Sequence, residues 1–531
     1  MGKSIDAVRG SRDRLAPPLD GSGRAQKETG WRDLGDLSWW RFAAVFAACF
    51  VIAALPVLIV ETLPLFDYPN HLARMHILAS PDDPVLQRFY EIRWQLLPNL
   101  AMDGVVPLLA RVMPLAWAGK AFVLATLLLL VGGAAALHRT LFKRWSLFPC
   151  LAFLLLYNRI LLWGFVNFLF GVGLALGVLT LWIRLREKAP WQRLAIGTIG
   201  ALAIYLSHLF AFGAYAIVVA GYEIGRAWRE GSLWTRRGLA GLAAAATQFL
   251  VPLALLLANA GAGGGEISWG HVLRKIDLFF NILDNYSRPF DVACFVALLA
   301  LLVWGAVRRS LRIAPALALP LILLLAAQLA MPNRMFGGAG VDHRMPLVLA
   351  LLLVAGSDAA LRTLRQKLIA GLIALIFVAR IGIVASVWLA DDRIYHPIVA
   401  ALAELPRGSR LAVALPPNSF NLEKRKPPVA HLANLAIVEA DSFVPLLFDF
   451  PGQQPVALRP AYAALAHGAG PEDFWAVLVA GAPDADGKIA AALAGYDDIL
   501  VVSPVPFTMP ADPRLALRFA SANARIYAIT R

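Results

Sequence analysis

The stretch RFAAVFAACFVIAALPVLIVETLPLFDYPNHLAR, residues 41–74, sets an unbroken apolar run against a short, charged, turn-rich segment. The run, 41–60, reaches the roughly 20 apolar residues with which a helix crosses a bilayer. Directly after it, Asp67, His71 and Arg74 fall within eight residues, where a plain tether would suffice. The juxtaposition predicts a membrane helix followed by a chemically equipped loop, and the rest of the chain extends the same pattern.

Of 531 residues, 59% are hydrophobic and 16% charged, and the mean hydropathy is +0.64. Soluble domains sit nearer half apolar and a quarter charged. This is the composition of a polytopic membrane protein. The formal net charge of +14 would point to nucleic acid in a soluble chain. Here the basic residues gather in short loops between apolar runs, at 138–146, 184–193, 223–238, 308–312 and 362–367. That is the positive-inside pattern, so the charge reports orientation and excludes nucleic acid as the partner it serves. Residues 1–40 are polar and basic, with Lys3, Arg9, Arg12 and Arg14 among them. A cleavable signal would carry its apolar core nearer the start, so 1–40 reads as a disordered cytoplasmic tail and 41–60 as a retained helix. Cys49, Cys150 and Cys294 each lie inside an apolar run. Without paired spacing they give no disulfide framework and no zinc motif.

The apolar runs predict about eleven spans, at 41–60, 118–137, 147–161, 164–183, 194–207, 209–222, 239–258, 291–307, 313–331, 345–361 and 368–390. With the basic loops cytoplasmic, the C-terminus falls outside; ten crossings would put it inside. The ambiguity rests on 194–222, which is 29 residues long, too short for two full spans and long for one. It reads as two short helices meeting at Ser207–His208, because broken backbone at membrane depth belongs where it lines a cavity. Three outside segments follow, 61–117, 259–290 and 332–344. Within the first, DPVLQRFYEIRWQLL (83–97) suits a helix lying in the interface. After 390 the composition shifts to Pro- and Gly-rich turns between short apolar strands, SRLAVAL (409–415) and YDDILVVS (496–503), with RLALRF and ARIYAIT as a closing pair. Segment 391–531 therefore reads as a periplasmic α/β domain behind a 41–390 membrane domain.

Candidate chemistry concentrates on the outside segments. A helix starting at Asp67, with Pro69 in its first turn, would place Asp67, His71 and Arg74 at i, i+4 and i+7, along one face. Asp67 could be an N-cap, and that role is compatible with a second one as general base or metal ligand. His208 sits at the tip of the proposed hairpin, either packed or facing a cavity. Arg334, His343 and Arg344 bracket the loop RMFGGAGVDHR (334–344), where guanidinium forks would suit phosphate or snorkel to headgroups. Asp342 could neutralise either arginine. In YNRILLWGFVNFLFGVGLALG (157–177) the glycines form a G-x-x-x-G that favours close helix packing. Neither it nor GAGGGE (261–266) makes a nucleotide-binding fingerprint or P-loop. There is no G-x-S-x-G nucleophile elbow.

The order of these parts resembles the GT-C superfamily of integral-membrane glycosyltransferases, in its uncharacterised bacterial branch. FDYPNHLAR, GFVNFLFG and LSHLFAF are similar to phrases of that branch, and the resemblance covers about 41–390. It implies a polyprenyl-phosphate-linked sugar as donor, and a lipid, glycan or protein acceptor of the cell envelope. The implied setting is the outer face of the bacterial inner membrane. The family's hallmark, an Asp or Asp-Glu in the first outside loop acting as base or metal ligand, falls on Asp67. Tyr68 stands where a second acid would, which leaves a divalent cation open and names no metal ligand. No oligosaccharyltransferase WWD motif is present. On this resemblance Asp67 would be catalytic, and His71, Arg74, His208, Arg334, His343 and Arg344 would bind substrate. A lipid-linked-sugar flippase and a non-catalytic envelope subunit are the rival readings, since broken helices and polar membrane residues fit transport too.

Overall fold

The computed structural model describes residues 36–530 apart from 187–188, 260–266, 336–337, 360, 422–426 and 451. Residues 1–35 of the basic tail and the glycine run at 261–264 thus lie outside the described residues. The fold is polytopic and helical, with a small sheet near the C-terminus. Among the described residues, seven helices are long and apolar enough to cross a membrane. They are Trp39–Ile59, Leu115–Phe142, Val166–Arg184, Leu209–Arg229, Arg236–Ala258, Arg288–Val307 and Leu364–Ala403.

Each of the eleven expected apolar runs carries helix, seven of them long and apolar enough to cross, while others fold as shorter pieces. Run 147–161 becomes a 3-10 coil, Phe148–Leu155, followed by a single turn, Arg159–Leu162. Run 313–331 gives Pro315–Ala330, and run 345–361 gives only Met345–Ala355. Gly356 ends that helix, and Ser357–Ala359 then pairs as a strand with Leu311–Ile313. The break at Ser207–His208 is present: Pro190–Ser207 and Leu209–Arg229 meet at His208, whose backbone is extended. Both helices reach into the flanking basic segments, so neither is short.

Close packing and buried charge hold the bundle. A Cβ on Gly173 would stand 2.6 Å from Leu129 Cβ and 3.0 Å from its carbonyl carbon. Only glycine lets Val166–Arg184 approach Leu115–Phe142 this closely, as small residues do between membrane helices. Asp291 and Arg380, on two different spans, pair at 2.5 Å in the interior, and Arg380 also donates to the Leu283 carbonyl at 2.7 Å. Where Leu209–Arg229 ends, buried Glu223 meets Arg186, Arg193 and Arg226, and accepts from the Trp182 indole at 3.0 Å.

At the His208 end, the first loop and the C-terminal segment interlock. The expected interfacial helix over 83–97 is a single turn, Leu86–Phe89, followed by a strand. Tyr90–Ile92 pairs antiparallel with Val456–Leu458. The Tyr90 hydroxyl bonds the Ser442 carbonyl and the Val444 amide, each at 3.1 Å. Tertiary pairing of an aromatic and β-branched triplet has overridden the helical pattern. The larger sheet places Leu411–Ala414 parallel to Asp498–Val502, then Ala524–Ile529 and Leu515–Ala520 antiparallel. These strands fall on the segments that sequence alternation selects. Helix Leu364–Ala403 runs unbroken past residue 390, and one core joins Val60, Leu63 and Leu65 to Leu432 and Val444.

Removing one member of a buried ion pair strands the other. Asp291→Ala is expected to cost about 3–5 kcal/mol, read as a lowered detergent melting temperature. Asp291→Leu with Arg380→Met is expected to recover most of the loss.

Candidate functional site

Asp67 is placed by two chain segments bonded main chain to main chain. Phe66 N donates to Leu162 O at 2.9 Å, and Asp67 N to Trp163 O at 3.2 Å. Asn158 makes the receiving turn, its side chain accepting from Ile160 and Leu161 amides. Gly164 closes it at φ +88°, a left-handed conformation, and a Cβ there would stand 2.8 Å from Asp67 N. The glycine is needed both for its backbone angle and for its contact with Asp67. Helix Tyr68–Ala79 then starts with Asp67 in the N-cap position, yet the Asp67 side chain makes no capping hydrogen bond. The capping role that its position suggested is therefore unfilled, and the carboxyl is left for other work.

The surroundings of that carboxyl are buried and cationic. Burial pushes the Asp67 acid up to about 7, against the opposing pull of Arg344 and Arg74. Arg74 is fully buried and bidentate on Asp103, at 2.6 and 3.1 Å, and it donates to His71 Nδ1 at 3.2 Å. Burial, the Arg74 charge and the neighbouring His431 hold the imidazole well below its ordinary value, with the Gly164 backbone opposing them. His71 is neutral.

Arg344 is buried in a different manner. Its guanidinium lies over the Phe165, Phe210 and Phe168 rings, at 4.5, 5.1 and 5.9 Å from their centroids. It donates to the Ala339 carbonyl at 3.4 Å, and its Nε has no hydrogen-bond partner. Burial lowers its acid constant to about 10, and Asp67 is the group that opposes the shift. Asp342 does not neutralise it: that carboxylate meets Lys275 at 3.1 Å and Asn333 at 3.0 Å.

Of the residues singled out in sequence, Asp67, His71, Arg74 and Arg344 come together around one buried point. His208 joins through rings it shares with Arg344, standing 5.4 Å from Phe168 and 5.7 Å from Phe210. Its Nδ1 accepts the Phe210 amide at 3.1 Å. His343 stacks on Trp163 at 4.9 Å, the residue whose carbonyl holds Asp67. Arg334 is exposed and forms a main-chain bridge with Ser268, and no ion pair or hydrogen bond described for it links it to the Asp67 group. One member was missed: His431, whose Nε2 stands 3.7 Å from Asp67 Oδ1.

With this geometry in hand, a comparison with solved structures finds the crystal structure of ArnT from Cupriavidus metallidurans bound to undecaprenyl phosphate. The match has a TM-score of 0.52 at 12% identity and covers 92% of this chain and 98% of that one. The fold is ArnT-like. The order of parts expected from the sequence thus belongs to an ArnT-like fold along nearly the whole chain. No protein-family model and no curated protein sequence matches.

Two openings approach the buried group. A cavity of about 1070 Å³ lies between the bundle and the C-terminal segment, lined by Phe66, Trp163, Tyr286, Asn418, Trp475 and Phe507 among others. A groove of about 920 Å³, lined by Leu96, Leu100, Phe170, Leu174 and Leu206, ends at Ser207, next to His208. As for a divalent cation, no group of three or more His, Cys, Asp or Glu stands together among the described residues. Asp67 with His431 is too small a donor set for a cation site.

The Asp67 carboxyl has a folded pKa of about 7, above its ordinary value of 3.8. Its contribution to stability is therefore complete below about pH 4 and lost as pH rises through about 7. Asp67→Asn is expected to melt above the parent at about pH 8, with the gap narrowing as pH falls and closing below about pH 4. Gly164→Ala is expected to lower stability by about 1–3 kcal/mol through strain at a positive φ, seen in the same melts.

Proposed function

We propose that this chain is a glycosyltransferase. It moves a sugar from a polyprenyl-phosphate carrier to a hydroxyl of a cell-envelope acceptor, at the outer face of the bacterial inner membrane. The observation that carries the reading is the Asp67 and Arg344 arrangement: a half-buried, uncapped carboxyl and a buried, underpartnered guanidinium, close enough to shift one another, between an apolar groove and an aromatic-polar cavity. The ArnT structure, bound to undecaprenyl phosphate, supports the same class of donor.

In this reading the polyprenyl chain lies in the groove lined by Leu96, Phe170 and Leu174, and its phosphate turns inward toward Arg344. The acceptor enters from the cavity beside Phe66 and Trp163. Its hydroxyl oxygen attacks the anomeric carbon as the bond from that carbon to the phosphate oxygen breaks. Asp67, ionised, takes the hydroxyl proton, the task for which an acid constant near working pH is best suited. Polyprenyl phosphate leaves with one more negative charge, and Arg344 is already in place to meet it. A preorganised cation in a dry site needs no rearrangement as that charge appears.

The remaining residues take supporting parts. Arg74, tied to Asp103, and His71, bonded to Arg74, hold the turn that carries Asp67. His208 and His343 steady the aromatic wall around Arg344, and Arg334 waits at the entrance for the donor's phosphate. The 391–531 segment forms the far wall of the acceptor cavity and serves as the periplasmic domain.

Asp67→Asn is expected to lower transfer by at least about 100-fold, measured with a lipid-linked sugar donor in detergent or nanodiscs. The parent rate should rise with pH through a midpoint near 7, and the residual rate of Asp67→Asn should lack that limb. Arg344→Gln is expected to lose about 100-fold or more in kcat, with Arg344→Lys intermediate. Full transfer by Asp67→Asn would remove the reading and favour a carrier or an accessory role.

A further inference from the structure

His431 belongs to the C-terminal segment, yet it reaches the carboxyl on which the first loop depends. It is 4% exposed and wedged among three aromatic rings, Phe66, Phe420 and Phe448, at 5.3, 5.5 and 4.9 Å. Its Nε2 faces Asp67 Oδ1 at 3.7 Å, and its Nδ1 faces Asn70 Nδ2 at 3.4 Å.

The proton on this ring can be located from the Asn70 amide. The Phe448 main-chain N–H can only donate, so the Asn70 atom 3.1 Å from it is the amide oxygen. The Leu446 carbonyl can only accept, so the atom 2.7 Å from it is the amide nitrogen. The amide thus cannot be flipped, and its remaining N–H points to His431 Nδ1. Nδ1 accepts, and the ring proton sits on Nε2, toward Asp67.

We propose that His431 is the positioning residue for Asp67, presenting an Nε2–H to the carboxylate and fixing which of its oxygens faces the acceptor. The inference rests on the glycosyl-transfer reading for its catalytic meaning, and on the geometry alone for the contact. A separation of 3.7 Å is longer than a hydrogen bond, and such contacts shorten when substrate fills a site. The other charged and titratable groups near Asp67 are accounted for. His71 and Arg74 stand on its own helix, the first bonded through Nδ1 to Arg74 and the second held on Asp103. Arg344 precedes helix Met345–Ala355 and lies over aromatic rings. Burial depresses the His431 acid constant to about 3, so the ring is a neutral donor across the working range.

A donor aimed at a carboxylate favours its charged form and lowers its pKa. Asp67 should then ionise at higher pH once the donor is removed. The experiment compares parent, His431→Phe and His431→Gln, the first keeping an aromatic ring and the second an N–H. The Asp67 carboxyl is titrated by its infrared band, assigned through its loss in Asp67→Asn, beside the pH–rate profile. Expected for His431→Phe are a midpoint raised by about one unit and a kcat lowered about tenfold, with little change in KM. His431→Gln should restore both most of the way. In the parent, nitrogen NMR of His431 should show the neutral Nε2-protonated ring, a readout that needs no variant to fold. A ring protonated on Nδ1 overturns the inference, as does an unmoved midpoint in both variants. Should the parent transfer no sugar, the infrared midpoint still reads the contact, which separates failure of the transfer reading from failure of this one.

Discussion

The arrangement rests on the cost of burying charge. Asp103, Asp291, Asp342, Asp358 and Glu223 are all buried, and each meets a cation directly: Arg74, Arg380, Lys275, Arg144 and a group of arginines respectively. Such pairs fix helices against one another because either partner alone would be stranded in a poor solvent for charge. Asp67 is treated differently. Cations surround it without capping it, and His431, the nearest described ion-pair partner, is a neutral ring. A protein that saturates so many of its buried acids has left this half-buried one unsaturated, next to Phe66 in the wall of a cavity of about 1070 Å³.

That contrast also explains the neighbouring arginines. Arg74 and Arg344 are both buried, and both oppose the rise in the Asp67 acid constant. Arg74 has given two of its nitrogens to Asp103, and its charge is spent on structure. Arg344 has a single main-chain acceptor and rests on rings. Cation–π contact offsets part of its desolvation while leaving its N–H groups available. Two guanidiniums at similar depth thus differ in their capacity to receive an anion, Arg74 keeping only its Nη1 without a partner and its charge already met by Asp103.

The legibility of the chain divides along sequence distance. The apolar runs, the break at His208 and the closing strand pair depend on patterns within a few residues, and those patterns appear as elements. The number of full spans was harder to read, because a break at Asn158 and an end at Gly356 shorten runs whose hydropathy alone looks sufficient. The strand Tyr90–Ile92 was illegible because its partner lies at Val456–Leu458, and only that partner makes extended backbone better than a helical turn. Local periodicity contains no trace of such a pairing.

The same reasoning reaches the site. The i, i+4, i+7 register brought out Asp67, His71 and Arg74 because they share one short helix. The turn that fixes them, Asn158 through Gly164, carried a signal in its glycine, but the need for that glycine is set by Asp67 across the fold. His431 had no local signal: Asn70, which orients it, is 361 residues away in the chain. Yet Asn70 lies inside the very motif that drew attention first, between Asp67 and His71. The motif therefore contains more than candidate chemistry; one of its side chains binds the loop at 446–448 and sets the tautomer of a distant histidine. The first loop supplies the carboxyl, and the C-terminal segment supplies the ring that faces it, so the site exists only when the two ends of the chain meet.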